Sequence, residues 1–280
     1  MSEPDKHHYL PVFYLSRWAR PDGKVVRYYR PQKDVVAAPI TPQNTGYERG
    51  LYRLDGYVPE VRNSIEKNFM AKIVDDPAAR ALEVLIERDL SRLTPELRQA
   101  WTRFLMSLHV RNPAKVDDIT KQAAEQLRQS LQANPDEYEA VRSTDDPATL
   151  IEWVEHNAPQ LLDNYGKQLL PGIITHKQTG DALIQMRWWT VGITDDSLDM
   201  LTGDRPVYMS HGIVDERCFI AVPLSPRLVF FATRAQNTFD SVMSNGIKAL
   251  VKSLNDLIVT QADRYVYGAH DRHLRFVENR

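Results

Sequence analysis

The 280-residue sequence predicts an α+β fold, with an antiparallel or mixed sheet built from the N- and C-terminal segments and a large helical insert between them. Three observations predict it. Glycine, which is costly inside helices, is absent from the 109 residues between Gly56 and Gly166, although the chain holds 12. Within that block Pro77, Pro95, Pro113, Pro135 and Pro147 each follow a good helix cap, namely Asp76, Thr94, Asn112, Asn134 and Asp146, and a cap followed by proline marks a helix start. Both flanks of the block carry strand-like runs instead. The chain reads as one domain in three parts: strands and an aromatic segment over 1–57, helices over 58–175, and strands with a C-terminal helix over 176–280.

In chain order, the first 57 residues hold nine of the 25 aromatics and a strand pair over 25–30 and 35–40. Leu82, Leu85, Ile86, Leu90 and Leu93 then form a one-faced helical stripe, as do Leu97, Trp101, Phe104, Leu105 and Leu108. Val116, Ile119, Ala123, Leu127 and Leu131 make a third, and Leu150, Ile151, Val154, Ala158, Leu161 and Leu162 a fourth. Beyond Gly166, strands are expected over 183–194, 206–209, 218–224 and 228–233. The last two flank Pro223-Leu224-Ser225-Pro226-Arg227, a turn between neighbours. Apolar alternation changes phase between Trp188 and Trp189, which predicts a bulge there. A helix with Phe239, Met243, Ile247, Leu250, Leu254 and Leu257 on one face follows, divided at Ser244-Asn245-Gly246. A strand at Tyr265-Val266-Tyr267 completes the pattern.

Composition bounds the function. Apolar residues at 42% and charged residues at 26% are ordinary for a globular chain. With 35 basic and 37 acidic side chains, the net charge of −2 excludes a wholesale cationic surface, so any basic site is local. The first eight residues lack the apolar core of a secretory signal, and no apolar stretch approaches the roughly 18 residues of a spanning helix. The expected address is the cytoplasm, with no membrane partner. The single cysteine, Cys218, reads as a small buried hydrophobe. There is no GxxxxGK or GxGxxG loop, HExxH pair or GxSxG elbow. No cofactor and no metal is indicated. Asp5 with Asp22-Gly23-Lys24 imitates a nuclease pattern, yet Pro21-Asp22-Gly23-Lys24 reads as a turn. His270 and His273 have metal-like spacing but read as a solvated tail.

The opening His8-Tyr9-Leu10-Pro11-Val12-Phe13-Tyr14-Leu15-Ser16-Arg17-Trp18 resembles the hallmark of a bacterial family known as domain of unknown function 4238, whose members begin His-Tyr-x-Pro-x-Phe-Tyr-Leu. Later segments are similar to further blocks of that family: 108–113, Thr202-Gly203-Asp204-Arg205-Pro206-Val207, 222–226, and Asn255 leading to 262–267. Gly203 and Arg205 stand where the family more often has serine and asparagine. The resemblance spans nearly the whole chain and implies a shared fold, with no chemistry attached.

Two functional readings follow from the residues. In the first, the segment from His8 to Trp18 and the loop from Thr202 to Val207 form a hydrolytic pocket. His8 is its base, Asp204 an orienting acid or ligand, and Arg205 or Arg111 an anion clamp. Tyr9 and Tyr14 would line the same segment. The second is a binding module without chemistry. Arg17, Arg20, Lys24, Arg27, Arg30 and Lys33 face only Asp22 within 17–33, a net +5 that leaves −7 for the rest of the chain. Trp18, Tyr28 and Tyr29 are interleaved, so cations for phosphates and rings for bases lie together, as a single-stranded nucleic acid or a phosphorylated ligand requires.

Overall fold

The computed structural model describes residues 6–133 and 135–280. Its strands are β1 (Lys6–His8), β2 (Val25–Tyr29), β3 (Val36–Ile40), β4 (Tyr47–Arg49), β5 (Arg187–Gly192), β6 (Thr202–Gly203), β7 (Tyr208–Met209), β8 (Phe219–Ser225), β9 (Leu228–Thr233) and β10 (Val266–Gly268). They form three antiparallel sheets, ordered β1-β4, β3-β2-β10-β6 and β5-β9-β8-β7. The second joins both ends of the chain, because C-terminal β10 lies between N-terminal β2 and β6. This is the expected α+β arrangement, with helices filling the middle of the sequence.

Those helices are α1 (Val12–Leu15), α2 (Pro59–Arg62), α3 (Asp76–Ile86), α4 (Pro95–Val110), α5 (Pro113–Ala133), α6 (Pro135–Glu139), α7 (Leu150–Asn157), α8 (Gln160–Ile174), α9 (Lys177–Ile184), α10 (Gln236–Met243), α11 (Gly246–Gln261) and α12 (Leu274–Glu278). Two of the five proline starts have their expected caps: Thr94 Oγ1 accepts the Leu97 amide at 3.3 Å, and Asn112 Oδ1 accepts the Ala114 amide at 2.9 Å. A third helix starts at Pro135, although Asn134 lies outside the described residues. The other two differ. Pro147 precedes its helix, and Thr149 caps α7 through a capping box with Glu152. α3 does begin at Asp76-Pro77, but with no side-chain cap, because an 11-residue π-helix, Ile65–Asp75, runs directly into it. Proline has no amide to offer the preceding turn, and the Ile73 carbonyl accepts instead from Arg103 Nη1 at 2.9 Å.

The expected bulge at the tryptophan pair is absent. β5 and β9 keep one register from Arg187↔Thr233 to Gly192↔Leu228, and the irregularity falls at Pro223/Ser225 in the β8–β9 pair. The phase change has another cause: this sheet is covered on both faces. Trp188 packs edge-on against Phe230 at 5.2 Å in the main core, while Trp189 stacks on Phe239 at 4.4 Å in a second cluster with α10 and α11. The strand also starts later than predicted, since Leu183 belongs to α9. The division before α11 falls as expected, with Gly246 at φ +78°.

One buried cluster draws Tyr14 and Trp18 from the N-terminal segment, Leu82, Trp101, Phe104 and Leu170 from the helices, and Val222 and Phe230 from the C-terminal sheet. α8 meets α5 closely at Gly166, where a Cβ would stand 2.4 Å from the Thr120 Cα. No helix among the described residues is long and apolar enough to cross a membrane.

Candidate functional site

β1 pairs with β4 in the register His7↔Glu48 and His8↔Tyr47. Successive strand residues face opposite ways, so the two histidines separate. His7 is fully buried, stacks on Tyr52 at 5.6 Å and accepts the Tyr52 amide on Nδ1 at 2.9 Å. His8 is half-buried and meets the edge of Tyr47. The Tyr52 hydroxyl donates to the Arg111 carbonyl at 3.0 Å.

Arg111, just past the end of α4, is wholly buried beside the face of Phe104, 5.3 Å from the ring centre. Its Nη1 donates to Asp75 Oδ1 at 2.9 Å, and Asp75 is 20% exposed. Its Nε and Nη2 have no hydrogen-bond partner, nor do His8 Nε2, Asn63 Oδ1 and Glu66 Oε2, all of them buried atoms. Buried polar atoms are normally satisfied, so an ionisable cluster with several orphan atoms marks a candidate functional site. Burial lowers the His8 pKa, and Lys6 and Arg111 lower it further against a backbone hydrogen bond at Gln43. Burial and the Asp75 charge push Glu66 up to about 7, against the pull of Arg111 and the His8 amide. Burial also raises Asp75, with Arg111 opposing.

The π-helix brings the two carboxylates within electrostatic reach of one another. Nine residues make about two and a half turns of an α-helix, which would set Glu66 and Asp75 on opposite faces. A π-helix bonds i to i+5 and winds more slowly, so nine residues approximate two full turns and both acids turn toward Arg111. Glu66 and Asp75 were not among the residues the sequence singled out. The available signal was phase: Glu66 precedes buried Met70 and Val74 at steps of four, and Arg111 follows Phe104 and Leu108. Charges in register with apolar stripes are the mark of a buried centre.

The remaining predicted residues lie elsewhere or do other work. Asp204 is 2% exposed, and its carboxylate accepts three backbone amides, from Asp263 at 2.9 Å, Arg264 at 2.6 Å and Tyr265 at 2.9 Å. It clamps the loop after β6 to the approach to β10 and makes no hydrogen bond to His8. Burial raises its pKa while the three amides pull it down. Arg205 is half-exposed, 3.5 Å from Asp263. Tyr14 is fully buried, its hydroxyl donating to the Pro223 carbonyl at 2.7 Å and lying 2.9 Å from Thr202 Oγ1. Trp18 is fully buried with its indole N–H on the Met200 carbonyl at 2.8 Å, which leaves no ring face for a base. Tyr9, 2% exposed, is likewise a core residue.

The basic segment is partly spent on internal pairs. Arg17 binds Glu83, Arg20 binds Asp22 at 2.9 Å, and Arg30 donates to the Glu278 carbonyl at 3.2 Å. Asp22 to Lys24 form a turn, with Gly23 at φ +74°, while Asp5 lies outside the described residues. Arg27 lies over Tyr29 at 4.5 Å and over Tyr265 at 4.9 Å. Beside these rings is a cleft of about 250 Å³ bordered by Arg30, Asp263, Arg264 and Arg280. The C-terminal histidine segment is not a free tail: Arg272 pairs with buried Asp199, and His273 lies 3.7 Å from it. Among the described residues no group of three or more His, Cys, Asp or Glu is placed to hold a metal.

The fold and its centre define an α+β protein of three antiparallel sheets whose N-terminal strand carries a histidine to a buried arginine–carboxylate cluster. The chain belongs to the family described as Protein of unknown function (DUF4238), which matches residues 6–272. No curated protein and no solved structure matches it.

Proposed function

We propose that the centre formed by His8, Glu66, Asp75 and Arg111 is a hydrolytic site for a phosphate ester. The observation that carries this reading is the π-helix that turns Glu66 and Asp75 together onto a buried arginine with two unpartnered nitrogens. A guanidinium fork matches the oxygens of a phosphate. His8, kept neutral by its lowered pKa, takes a proton from water as the water oxygen bonds to phosphorus. The bond from phosphorus to the leaving oxygen breaks, and Glu66 in its acid form supplies that oxygen with a proton. Exchange with solvent restores both groups. His8, Glu66 and Asp75 are half-buried residues, and in this reading a small shift of their side chains admits substrate to the buried His8 Nε2 and Glu66 Oε2. Asp204 serves this reading by fixing the neighbouring loop. A cytoplasmic address is part of this proposal, and the lone cysteine accords with it as a buried thiol that donates to the His211 carbonyl.

Hydrolysis of bis(p-nitrophenyl) phosphate and p-nitrophenyl phosphate tests this. His8→Gln and Glu66→Gln should each lower turnover by about 100-fold or more; turnover that is absent in the wild type, or unmoved by both variants, overturns the reading. Stability should report Glu66 as well. Its folded pKa of about 7 lies above the ordinary 4.5, so the native state holds a proton that the unfolded chain has lost. Stability is then fully present below about pH 4.5 and falls as pH rises to about 7, by about 2 kcal/mol after allowance for solvent at its rim. Urea titrations across that range should show the slope, and Glu66→Gln should remove it.

A second reading rests on a separate observation, the Arg27 guanidinium shared by Tyr29 and Tyr265 beside a cleft bordered by Arg30, Arg264 and Arg280. It proposes a phosphate- or nucleic-acid-binding face. Binding of a single-stranded oligonucleotide should weaken with salt, with a log–log slope of about −0.7 per phosphate contact. Arg30→Gln should flatten that slope, and a salt-independent signal would exclude the reading.

A further inference from the structure

One apolar cavity lies away from both of these sites. It encloses about 570 Å³ between α4, α8 and α9 on one side and β7 and β8 on the other, walled by Leu105, Met106, Ile173, Leu183, Met209 and Ile220. That is the size of a small-molecule pocket, and its lining is almost wholly apolar. His109, Val207 and Met209 also line an adjoining smaller pocket of about 170 Å³, together with Arg205, Tyr208 and Gln261. Gln261 donates to the Arg205 and Val207 carbonyls and so fixes this loop. The neighbouring pockets differ in charge. In one that shares Met106 and His176 with the cavity, Lys177 and Asp181 neutralise each other as an i,i+4 pair. In the other, Arg205 is half-exposed and meets Asp263 only at 3.5 Å. Lys115 and Arg205 join burial in lowering the pKa of His109, a sign of net positive potential there.

We infer that this cavity binds an amphiphile with an acyl-chain body and a carboxylate head, the chain among the α4, α8 and β8 side chains and the head at Arg205. An apolar tunnel with a cation at one mouth recognises both halves of such a molecule, since burial supplies affinity and the guanidinium sets orientation. The site shares no residue with the hydrolytic centre and does not depend on it.

Gly172 provides the test, because it lines the cavity on α8 and an added Cβ meets nothing within 4 Å. The Cβ of a larger residue is therefore accommodated, so Gly172→Phe sets a ring at the wall of the cavity to compete with the chain, and replacing a helical glycine favours the helix. Calorimetric titration with decanoate and with decanol, below the concentrations at which either aggregates, should give saturable binding of decanoate to the wild type, tighter than that of decanol. Gly172→Phe, with its Tm kept or raised, should weaken decanoate at least tenfold. Arg205→Gln should weaken decanoate about tenfold and leave decanol unchanged. No saturable binding, decanol binding as tightly as decanoate, or a folded Gly172→Phe that binds as the wild type does would each overturn the inference. Should Gly172→Phe fail to fold, the Arg205→Gln comparison decides alone.

Discussion

Asp204→Ala is expected to lower the free energy of unfolding by about 4 kcal/mol or more, the largest effect of any single side chain outside the hydrophobic core. Three backbone amides, from Asp263, Arg264 and Tyr265, converge on this one buried carboxylate. A buried donor left without an acceptor costs about 1–3 kcal/mol; these three bonds are part-buried, so the low end of that range applies to each, and the substitution breaks all three together. The loss also propagates, because the clamped segment leads into β10, the strand that joins β2 to β6. Asp204→Asn keeps one acceptor oxygen and should lose roughly half as much. Urea unfolding of the three proteins measures this directly. An Asp204→Ala protein within about 1 kcal/mol of wild type, the range of ordinary surface changes, would show that the loop holds without its clamp.

The second large effect is expected at Asp75. Removing it leaves the Arg111 charge wholly buried without its ion-pair partner, and breaking such pairs from one side costs about 3–5 kcal/mol. Asp75 is itself 20% exposed, so the lower end of that range applies, about 3 kcal/mol at pH 7. The double variant Asp75→Leu with Arg111→Met removes both charges and fills similar volume, and it should recover most of the loss. If it recovered nothing, the value of the pair would lie in the geometry it imposes on the end of the π-helix and not in its charges.

Much of the architecture was legible because it is local. The caps at Thr94 and Asn112, the glycine-free helices, the division at Gly246 and the hairpin of β8 with β9 each follow from a few adjacent residues and their steric demands. The sequence also singled out His8, Arg111 and Asp204 as candidate pocket residues. What it did not reveal depends on assumed periods and on distance. Glu66 and Asp75 converge only if the backbone leaves the 3.6-residue turn, and no residue type announces that departure. Pro77 reads as a capped start because a proline after aspartate normally is one, whereas α3 runs on from the π-helix with no side-chain cap, and an arginine from another helix satisfies the carbonyl the proline frees. Asp204 reads from sequence as an orienting acid or ligand, and the partners its carboxylate has are amides some 60 positions away, which side-chain spelling does not specify. Trp188 and Trp189 looked like a register error because one exposed face was assumed, whereas each face of that sheet has its own apolar cover.

The place of β10 also sets an order of events during synthesis. β2 lies roughly 240 positions before the strand that pairs with it, so at about 5–20 residues per second it emerges tens of seconds before its neighbour exists. Over that interval the β2–β3 hairpin presents an unpaired edge, a surface that invites pairing with other chains. Arg27 and Lys24, on or beside that edge, place charge where a premature neighbour would dock. The same cations that meet tyrosine rings in the finished protein would thus guard the unfinished one, and nascent chains stalled before residue 266 should be the aggregation-prone species.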